Sequence, residues 1–234
     1  MKRFWKEASV IAQDGGFGVA LDGKLLKTPA KGTLACPNRA MADAIAAEWD
    51  AAKETVEPAS MPMTRYANTA LDRVASNFED IAEQVAAYGG SDLLCYRAAH
   101  PDELIARQAE AWDPLLSWAN EMLGVTFILA QGVMHVEQPA SAAESFTTVV
   151  KDRDAFSLAA LHDLTALSGS LVIALAVVHD RLAVDDAWRT SRVDEDWQIE
   201  QWGEDDLARD AAAAKRRDFE DAARFLGLAS MRAE

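Results

Sequence analysis

The chain has 234 residues, of which 38 are acidic and 23 are basic, so its formal net charge is −15. This length fits one large domain or two small ones, and a hydrophobic content of 50% excludes general disorder. The acidic balance argues against sequence-tolerant nucleic-acid binding and against docking on an anionic membrane, because both depend on clustered lysine and arginine.

The cysteines indicate a reducing compartment, and the apolar runs indicate neither a secretory signal nor a membrane-spanning helix. Cys36 and Cys95 lie far apart in the sequence and form no CxxC motif, so they carry no metal or redox signature. The segment from Met1 to Glu7 lacks the apolar core of a secretory signal. The longest apolar run, Leu171 to Val178, is too short to cross a bilayer. These features predict a cytoplasmic protein.

Residues 1 to about 37 are typical of β-structure. The sequence predicts short strands at Val10–Ala12, Phe17–Leu21 and Lys24–Thr28, with a further strand at Thr33–Cys36. Asp22-Gly23 stands between two of these runs, and this pair favours a type I′ hairpin because both central residues of that turn need positive φ.

From residue 38 onward the pattern changes to helical spacing. Asn38 is a candidate N-cap, and apolar residues four apart follow it at Met41, Ile45 and Trp49. Thr64 is a second candidate cap, opening a helix that runs to about residue 74.

After about residue 76 the sequence predicts helices and no convincing strand. The predicted helices are Phe78–Tyr88, Pro101–Leu123, Ala140–Val150, Asp154–Leu167, Ser170–Asp180, Val184–Gln201 and Asp205–Leu226, with Gly227 as a stop. The run Leu171 to Val178 is apolar on every side and predicts a central helix. We therefore predict an α+β protein, with a small N-terminal α/β domain at residues 1–80 and an all-helical domain at residues 81–234.

Motifs for nucleotide binding or nucleophilic catalysis are absent from the sequence. It contains no GxxxxGK[ST], GxGxxG, GxSxG or SxxK pattern. The glycines of Gly15-Gly16-Phe17-Gly18 fall at the predicted hairpin, which favours a turn over a phosphate loop.

Two His-Asp pairs leave one enzyme class open. Helical phosphohydrolases hold divalent metals with a His, a His-Asp pair and a later Asp, an order that His135, His162-Asp163 and Asp194 could imitate. A second pair stands at His179-Asp180. The alternative prediction is therefore a helical metal-dependent phosphohydrolase, although neighbouring residues on a helix diverge by about 100°.

Three of the seven tryptophans fall within fifteen residues, at Trp188, Trp197 and Trp202. On one continuous helix, Trp188, Glu195, Ile199 and Trp202 would share a stripe. A carboxylate on an aromatic face needs a cation or partial exposure, and aromatic groups beside a charge are typical of interface hot spots. The alternative is that the aromatic residues are core and that Glu195 pairs with Arg192.

Segments along the whole chain resemble one known family. They are Arg3-Phe4-Trp5-Lys6, Leu21-Asp22-Gly23-Lys24, Ala47-Glu48-Trp49-Asp50, Met61-Pro62-Met63-Thr64, Ser91-Asp92-Leu93-Leu94-Cys95-Tyr96-Arg97, Trp112-Asp113-Pro114-Leu115, Asp194-Glu195-Asp196-Trp197-Gln198 and Trp202-Gly203-Glu204-Asp205. In this order they resemble the F1-ATPase assembly chaperones that handle the α subunit, in their α-proteobacterial form.

The resemblance implies a function that needs no catalysis and no cofactor. Such a chaperone binds the unassembled F1-ATPase α subunit and prevents its aggregation until the β subunit takes its place. The implied fold is a small α/β domain followed by a helical domain. The partner is a protein, with no nucleic acid and no membrane. Since the resemblance begins at Arg3, we expect no transit peptide and a bacterial cytoplasm; the alternative is a mitochondrial matrix, if the chain is a trimmed eukaryotic homologue.

The resemblance also implies a binding segment, because the family places an important acid in the stretch that matches residues 194–196. Glu195 is the leading candidate on account of its predicted stripe. The predicted partner-binding residues are Asp194, Glu195, Asp196, Trp188, Trp197, Gln198 and Trp202. Trp49 and Gly203 are predicted to be structural. Leu207 departs from the pattern, since another acid is expected there.

Overall fold

The computed structural model describes residues 2–132 and 134–231 of the chain. Two compact units are distinguished by the contacts within them. Unit 1 comprises residues 1–78, 154–160 and 224–234, and unit 2 comprises residues 79–153 and 161–223. The division into separate domains at residues 1–80 and 81–234 stays a prediction.

The sheet of unit 1 is built around an antiparallel hairpin. Strands β1 (Ala8–Gln13) and β2 (Gly16–Leu21) pair with Val10 opposite Val19, and β2 also pairs with β3 (Lys24–Leu25) and β4 (Ala35–Cys36). The turn between β2 and β3 has φ of +47° at Asp22 and +81° at Gly23. Positive φ at both positions confirms the predicted hairpin turn.

Helix α1 (Arg39–Ala51) packs its apolar face on this sheet. Asn38 caps it as predicted, since its Oδ1 accepts a hydrogen bond from the Met41 N–H at 2.9 Å. The buried residues Met41, Ala42, Ile45 and Ala46 repeat at helical spacing. Complete burial of a side chain such as Ile45 stabilises the fold by about 1.5–3 kcal/mol.

The next helix starts differently from the prediction. Helix α2 (Pro62–Thr69), continued by a π-helical turn at Ala70–Val74, begins at Pro62, so Thr64 is not its cap. Glu48 of α1 takes the capping role instead, accepting hydrogen bonds from the Met63 and Thr64 N–H groups at 2.7 and 2.8 Å. A carboxylate at a helix N-terminus satisfies its unpaired donors and complements its dipole, and proline at the first position loses no hydrogen bond.

Unit 2 is formed mainly by helices. They are α3 (Phe78–Ala87), α4 (Asp102–Leu123), α5 (Ala140–Lys151), α6 (Ala155–Ser168), α7 (Leu171–Val178), α8 (Val184–Ser191), α9 (Val193–Trp202) and α10 (Asp206–Ala229), and the ends of α3, α6 and α10 belong to unit 1. Residues 171–177 of α7 are all buried, which confirms the predicted central helix. Gly227 lies inside α10 and does not stop it, because a glycine in an exposed turn weakens a helix without ending it.

Two other predictions for this part of the chain were wrong. A two-residue parallel pair, β5 (Tyr96–Arg97) with β6 (Ala130–Gln131), occurs where no strand was predicted, because runs this short carry no periodicity. The predicted helix Val184–Gln201 is two helices, separated at Arg192, whose φ and ψ are −115° and +17°. The predicted fold class is nevertheless confirmed, with N-terminal antiparallel strands and helices followed by a helical region.

Among the described residues, no helix is both long and apolar enough to span a membrane. Both cysteines are free and buried, and burial raises the pKa of each thiol to about 12. The two thiols are therefore protonated at neutral pH and act as small apolar side chains.

Candidate functional site

A groove of about 460 Å³ lies between α9 and the first turns of α10. It is lined by Arg192, Glu195, Gln198, Ile199, Trp202, Gly203, Glu204, Asp205, Ala208, Ala211, Ala212 and Lys215. One wall comes from α9 and carries the larger side chains, whereas the α10 wall is formed mostly by alanines. The small residues of α10 leave room for the groove beside the larger side chains of α9.

The geometry of the groove depends on two local features of the backbone. Gly203 ends α9 with φ of +87° and ψ of +168°, a conformation that only glycine adopts without strain. Asp205 then caps α10, with its Oδ1 accepting a hydrogen bond from the Ala208 N–H at 3.0 Å. The chain therefore leaves one helix and enters the next within three residues.

Large apolar side chains at this site are exposed to solvent. Trp202 is 79% exposed at the edge of the groove, and Leu207, in the first turn of α10, is 80% exposed. Single exposed apolar residues are common on proteins, but tryptophan is among the residues most enriched at binding hot spots. Leu207, the position where an acid was expected, therefore adds apolar surface to this region.

The three adjacent acids of α9 have different environments. Asp194 accepts a hydrogen bond from Gln108 Nε2 at 2.6 Å, and the Asp196 carboxylate lies 3.5 Å from Nε of Arg192. Glu195 is exposed, lines the groove, and has no ion pair or hydrogen bond with any other side chain in the described part of the chain. The predicted pairing of Glu195 with Arg192 is wrong, because Arg192 reaches Asp196, one helical turn away.

The other two tryptophans of the segment lie outside the groove. Trp188 is 7% exposed, packs against Phe219 with ring centroids 5.7 Å apart, and has the guanidinium of Arg192 over its ring. The break at Arg192 separates it from α9, so the single stripe predicted for Trp188, Glu195, Ile199 and Trp202 is wrong for Trp188.

The Trp197 ring of α9 packs against a cation of α4, the guanidinium of Arg107. The Arg107 guanidinium lies 5.1 Å from the Trp197 ring centroid and makes two hydrogen bonds of 2.8 Å to Glu200. These hydrogen bonds lower the pKa of Glu200 below its ordinary value. The arrangement ties α9 to α4 and leaves the opposite side of α9 for the groove.

The structure thus brings together four of the predicted site residues, Glu195, Gln198, Trp202 and Gly203. It does not place Asp194, Asp196, Trp188 or Trp197 in the groove. The α10 wall was missed at the sequence level. Its signal is the spacing of Ala208, Ala211 and Ala212, which puts three small residues on one helix face, with Lys215 one turn further along.

The alternative metal site has no support in the structure. Within residues 2–132 and 134–231, no three His, Cys, Asp or Glu side chains are placed to hold a metal ion. His162 contacts its neighbour Asp163 at 2.9 Å, His135 contacts the Tyr96 hydroxyl at 3.0 Å, and Asp194 contacts Gln108. The four predicted ligands therefore take part in three separate contacts of the described residues, and only His162 and Asp163 contact each other.

Trp49 belongs to unit 1 and not to the groove. It is half-buried on α1, and its ring packs against that of Trp5 with centroids 5.1 Å apart. This aromatic contact is consistent with a structural contribution, although the structural role of Trp49 stays a prediction.

Comparison with known proteins identifies the family. Residues 2–120 match the model of the ATP12 chaperone protein, which is just over half of the chain. The structure is similar to Atp12 from Paracoccus denitrificans, with a TM-score of 0.94, 41% identity, and coverage of 97% of this chain and 98% of that one. It is also similar to the Atu1473 protein of Agrobacterium tumefaciens, with a TM-score of 0.92, 46% identity, and coverage of 97% and 85%.

A curated relative extends the comparison to eukaryotes. The mitochondrial protein atp12 of Schizosaccharomyces pombe is 24% identical over 214 aligned positions, and the match covers 86% of this chain and 74% of that protein. The family match, the two structural similarities above 40% identity and the matching fold agree with one another. The chain belongs to the ATP12 chaperone family, whose members are chaperones of ATP synthase assembly.

Proposed function

We propose that this protein binds the unassembled α subunit of F1-ATPase and releases it to the β subunit without consuming ATP. Membership of the ATP12 family supports the assembly role, and the resemblance noted in the sequence supports the α subunit as the client. The observation that carries a binding role is the groove beside α9, where exposed Trp202 stands on the same helix face as unpaired Glu195.

Mass action is sufficient to explain release. An isolated subunit exposes the apolar surface that its neighbour covers in the complex, and such surface promotes aggregation. A chaperone that covers this surface lowers the concentration of the aggregating species. Transfer then requires only that the α–β complex be more stable than the chaperone complex. We propose no catalytic residue, no cofactor and no nucleotide for this cycle.

The charge distribution favours a basic client surface. Unit 2 contains 27 acidic and 11 basic residues, whereas unit 1 contains 11 acidic and 12 basic residues. The net negative charge therefore resides in unit 2, which also contains the groove. We propose that Glu195 receives an arginine or lysine of the client and that Trp202 covers an apolar group beside it.

A charge reversal at Glu195 tests this assignment. Co-expression of the α subunit with the Glu195→Lys variant should give little soluble complex, with affinity at least about 30-fold lower, because the variant places like charges together at the contact. The measurement is the amount of α subunit recovered with the tagged chaperone, followed by titration of the purified pair.

The matched control is Glu144→Lys. Glu144 is exposed on α5 and its carboxylate has no partner among the described residues, so the variant makes the same charge change outside the groove. Glu144→Lys should retain the complex, and both variants should unfold at nearly the same temperature as the unmodified chain. Full recovery of the α subunit with Glu195→Lys would contradict the proposed site.

The compartment follows from the proposed client. A bacterial F1-ATPase is assembled on the cytoplasmic side, and we propose that compartment for this chain, while the eukaryotic relative carries a mitochondrial name. Fractionation of the native cells, with an antibody against this chain, checks the compartment.

A further inference from the structure

Unit 1 contains a second cavity, of about 410 Å³, whose walls are mainly apolar. Its walls come from α1, from α2 and from the two connecting segments that contain prolines. Among the residues that line it are Pro29, Trp49, Val56, Pro58, Met61 and Asn68. Aromatic side chains line the grooves of several domains that bind extended peptides, and Trp49 supplies such a side chain here.

Two polar atoms of the wall residues are buried without a partner. The indole Nε1 of Trp49 is a donor, and Oδ1 of Asn68 is an acceptor, and neither makes a hydrogen bond within the described part of the chain. Buried polar groups are nearly always paired in folded proteins, because an unpaired one loses its hydration without compensation. One missing acceptor and one missing donor are the complement of a peptide group.

The charge of unit 1 also restricts the occupant. Its 11 acidic and 12 basic residues nearly cancel, in contrast to the strongly acidic unit 2. Arg65 is the one charged residue among the described residues that line the cavity; it is exposed and its guanidinium lies over the Tyr66 ring, so the rest of the lining presents uncharged side chains to an occupant. The flexible side chain of Met61 is the wall element best able to turn aside and admit a bound group to the two shielded atoms.

We propose that this cavity is a docking pocket for an extended, uncharged apolar segment of a client polypeptide. A backbone carbonyl of the segment accepts from the Trp49 indole N–H, a backbone N–H donates to Asn68 Oδ1, and an apolar side chain fills the cavity. The choice of a polypeptide rests on the proposed chaperone function. The recognition chemistry rests on the cavity and its two unpaired atoms.

Titration of the full chain with the blocked peptide acetyl-Ala-Leu-Ala-amide tests the pocket directly. The observable is the Trp49 indole N–H resonance, assigned among the seven tryptophans by its loss in Trp49→Phe. We expect this resonance to shift downfield as the new hydrogen bond forms, with saturation at millimolar peptide. Trp202, which lies in unit 2, should give an unchanged indole resonance.

A single atom change in the peptide tests the second hydrogen bond. The analogue with an ester in place of the amide after leucine lacks one N–H, and it should bind the unmodified chain about tenfold more weakly. In Asn68→Leu, which lacks the acceptor, peptide and ester should bind equally. This comparison of two ligands on one variant cancels any general effect of the substitution on the pocket.

Trp5→Phe is the matched control for Trp49→Phe. The Trp5 indole N–H is also buried and has no partner among the residues that the structure describes, and its ring packs against Trp49, but Trp5 is not among the residues that line the cavity. Trp5→Phe should therefore leave the peptide affinity unchanged, whereas Trp49→Phe should lower it about tenfold.

The outcomes separate the pocket from the proposed function. If the Trp49 resonance does not move at the highest concentration at which the peptide dissolves, the proposal of a docking pocket is wrong, whatever the co-expression assay shows. Equal affinity of peptide and ester for the unmodified chain would overturn recognition of the peptide group. Because no client is present in the titration, its result does not depend on whether Glu195→Lys still recovers the α subunit.

Discussion

Asp92 is a carboxylate in the interior of unit 2, with no exposed surface. It accepts hydrogen bonds from the Ser170 hydroxyl at 2.7 Å, from the Val172 N–H at 3.0 Å and from the Leu94 N–H at 3.1 Å. It thus caps the buried helix α7 together with Ser170. Burial raises the pKa of Asp92 above its ordinary value, although each hydrogen bond to the carboxylate acts in the opposite direction.

This balance gives Asp92 a measurable effect on the pH dependence of stability. A raised pKa in the folded state means that the folded chain binds the proton more tightly than the unfolded chain. The contribution of Asp92 is therefore fully present below its unfolded pKa and is lost as the pH rises through its folded pKa. In Asp92→Asn this titration is absent.

We therefore expect the stability difference between the unmodified chain and Asp92→Asn to shrink as the pH rises from about 4 to 7. Urea unfolding at a series of pH values measures this difference. The subtraction removes the titration of the other carboxyl groups, which both chains share. A difference that grows with pH would mean that the hydrogen bonds outweigh burial and hold Asp92 as an anion.

Sequence reasoning at the residue scale succeeded where local chemistry decides the outcome. Asn38 caps α1 and the Asp22-Gly23 turn forms because both depend on a few neighbouring atoms. The capping of α2 was not predictable, since Glu48 reaches it from another helix. Likewise, the sequence proposed three candidate acids at residues 194–196, and only the folded chain shows that two of them have partners.

At the scale of elements, Gly203 decides how α9 and α10 meet. Its backbone combines φ of +87° with ψ of +168°, and no other described residue has an atom within 4 Å of the place that an added Cβ would take. The penalty for a larger residue therefore comes from the backbone conformation and not from a steric clash with a neighbour. Such a conformation costs about 1–3 kcal/mol for a residue other than glycine.

Gly203→Ala should accordingly lower the free energy of unfolding by about 1–3 kcal/mol and reduce client binding, because the groove depends on this connection. Gly227→Ala should have the opposite effect on stability. Gly227 is exposed inside α10, so alanine there should stabilise the helix by about 0.5–1 kcal/mol. Thermal unfolding of both variants measures the two signs. A stabilising Gly203→Ala would show that the connection relaxes into another conformation.

Hydrophobic periodicity predicted some features of the helices and missed others. The apolar run of α7 identified a central helix, because a segment that is apolar on all sides has no solvent face. The break between α8 and α9 was missed, since the residues around Arg192 keep helical spacing without glycine or proline. The α10 wall was missed for a related reason: alanine suits a helix whether it faces solvent, core or groove.

On the scale of the whole molecule, the charge is unevenly divided between the two units. The excess of 16 acidic residues in unit 2, obtained from 27 acidic and 11 basic residues, exceeds the net charge of the chain in magnitude. Unit 1 carries one more basic than acidic residue. Composition alone gave the total of −15, but the division required the fold, because both units combine segments that are far apart in the sequence.

This division predicts a salt-dependent association with the client. A surface of one sign attracts an oppositely charged partner and raises the association rate, and dissolved salt screens that attraction beyond about 10 Å at 0.1 M. Raising NaCl from about 0.05 to 0.5 M should therefore lower the association rate constant by about tenfold or more, while the dissociation rate constant changes less. Stopped-flow mixing with the fluorescence of Trp202 as the signal measures both rates, and Trp202→Phe identifies its share of the signal.

Glu195→Lys should make the association rate less sensitive to salt than Glu144→Lys does, because Glu195 lies in the groove that we assign to the contact. Equal salt dependence in the two variants would indicate that the general charge of unit 2, and not the groove, attracts the client.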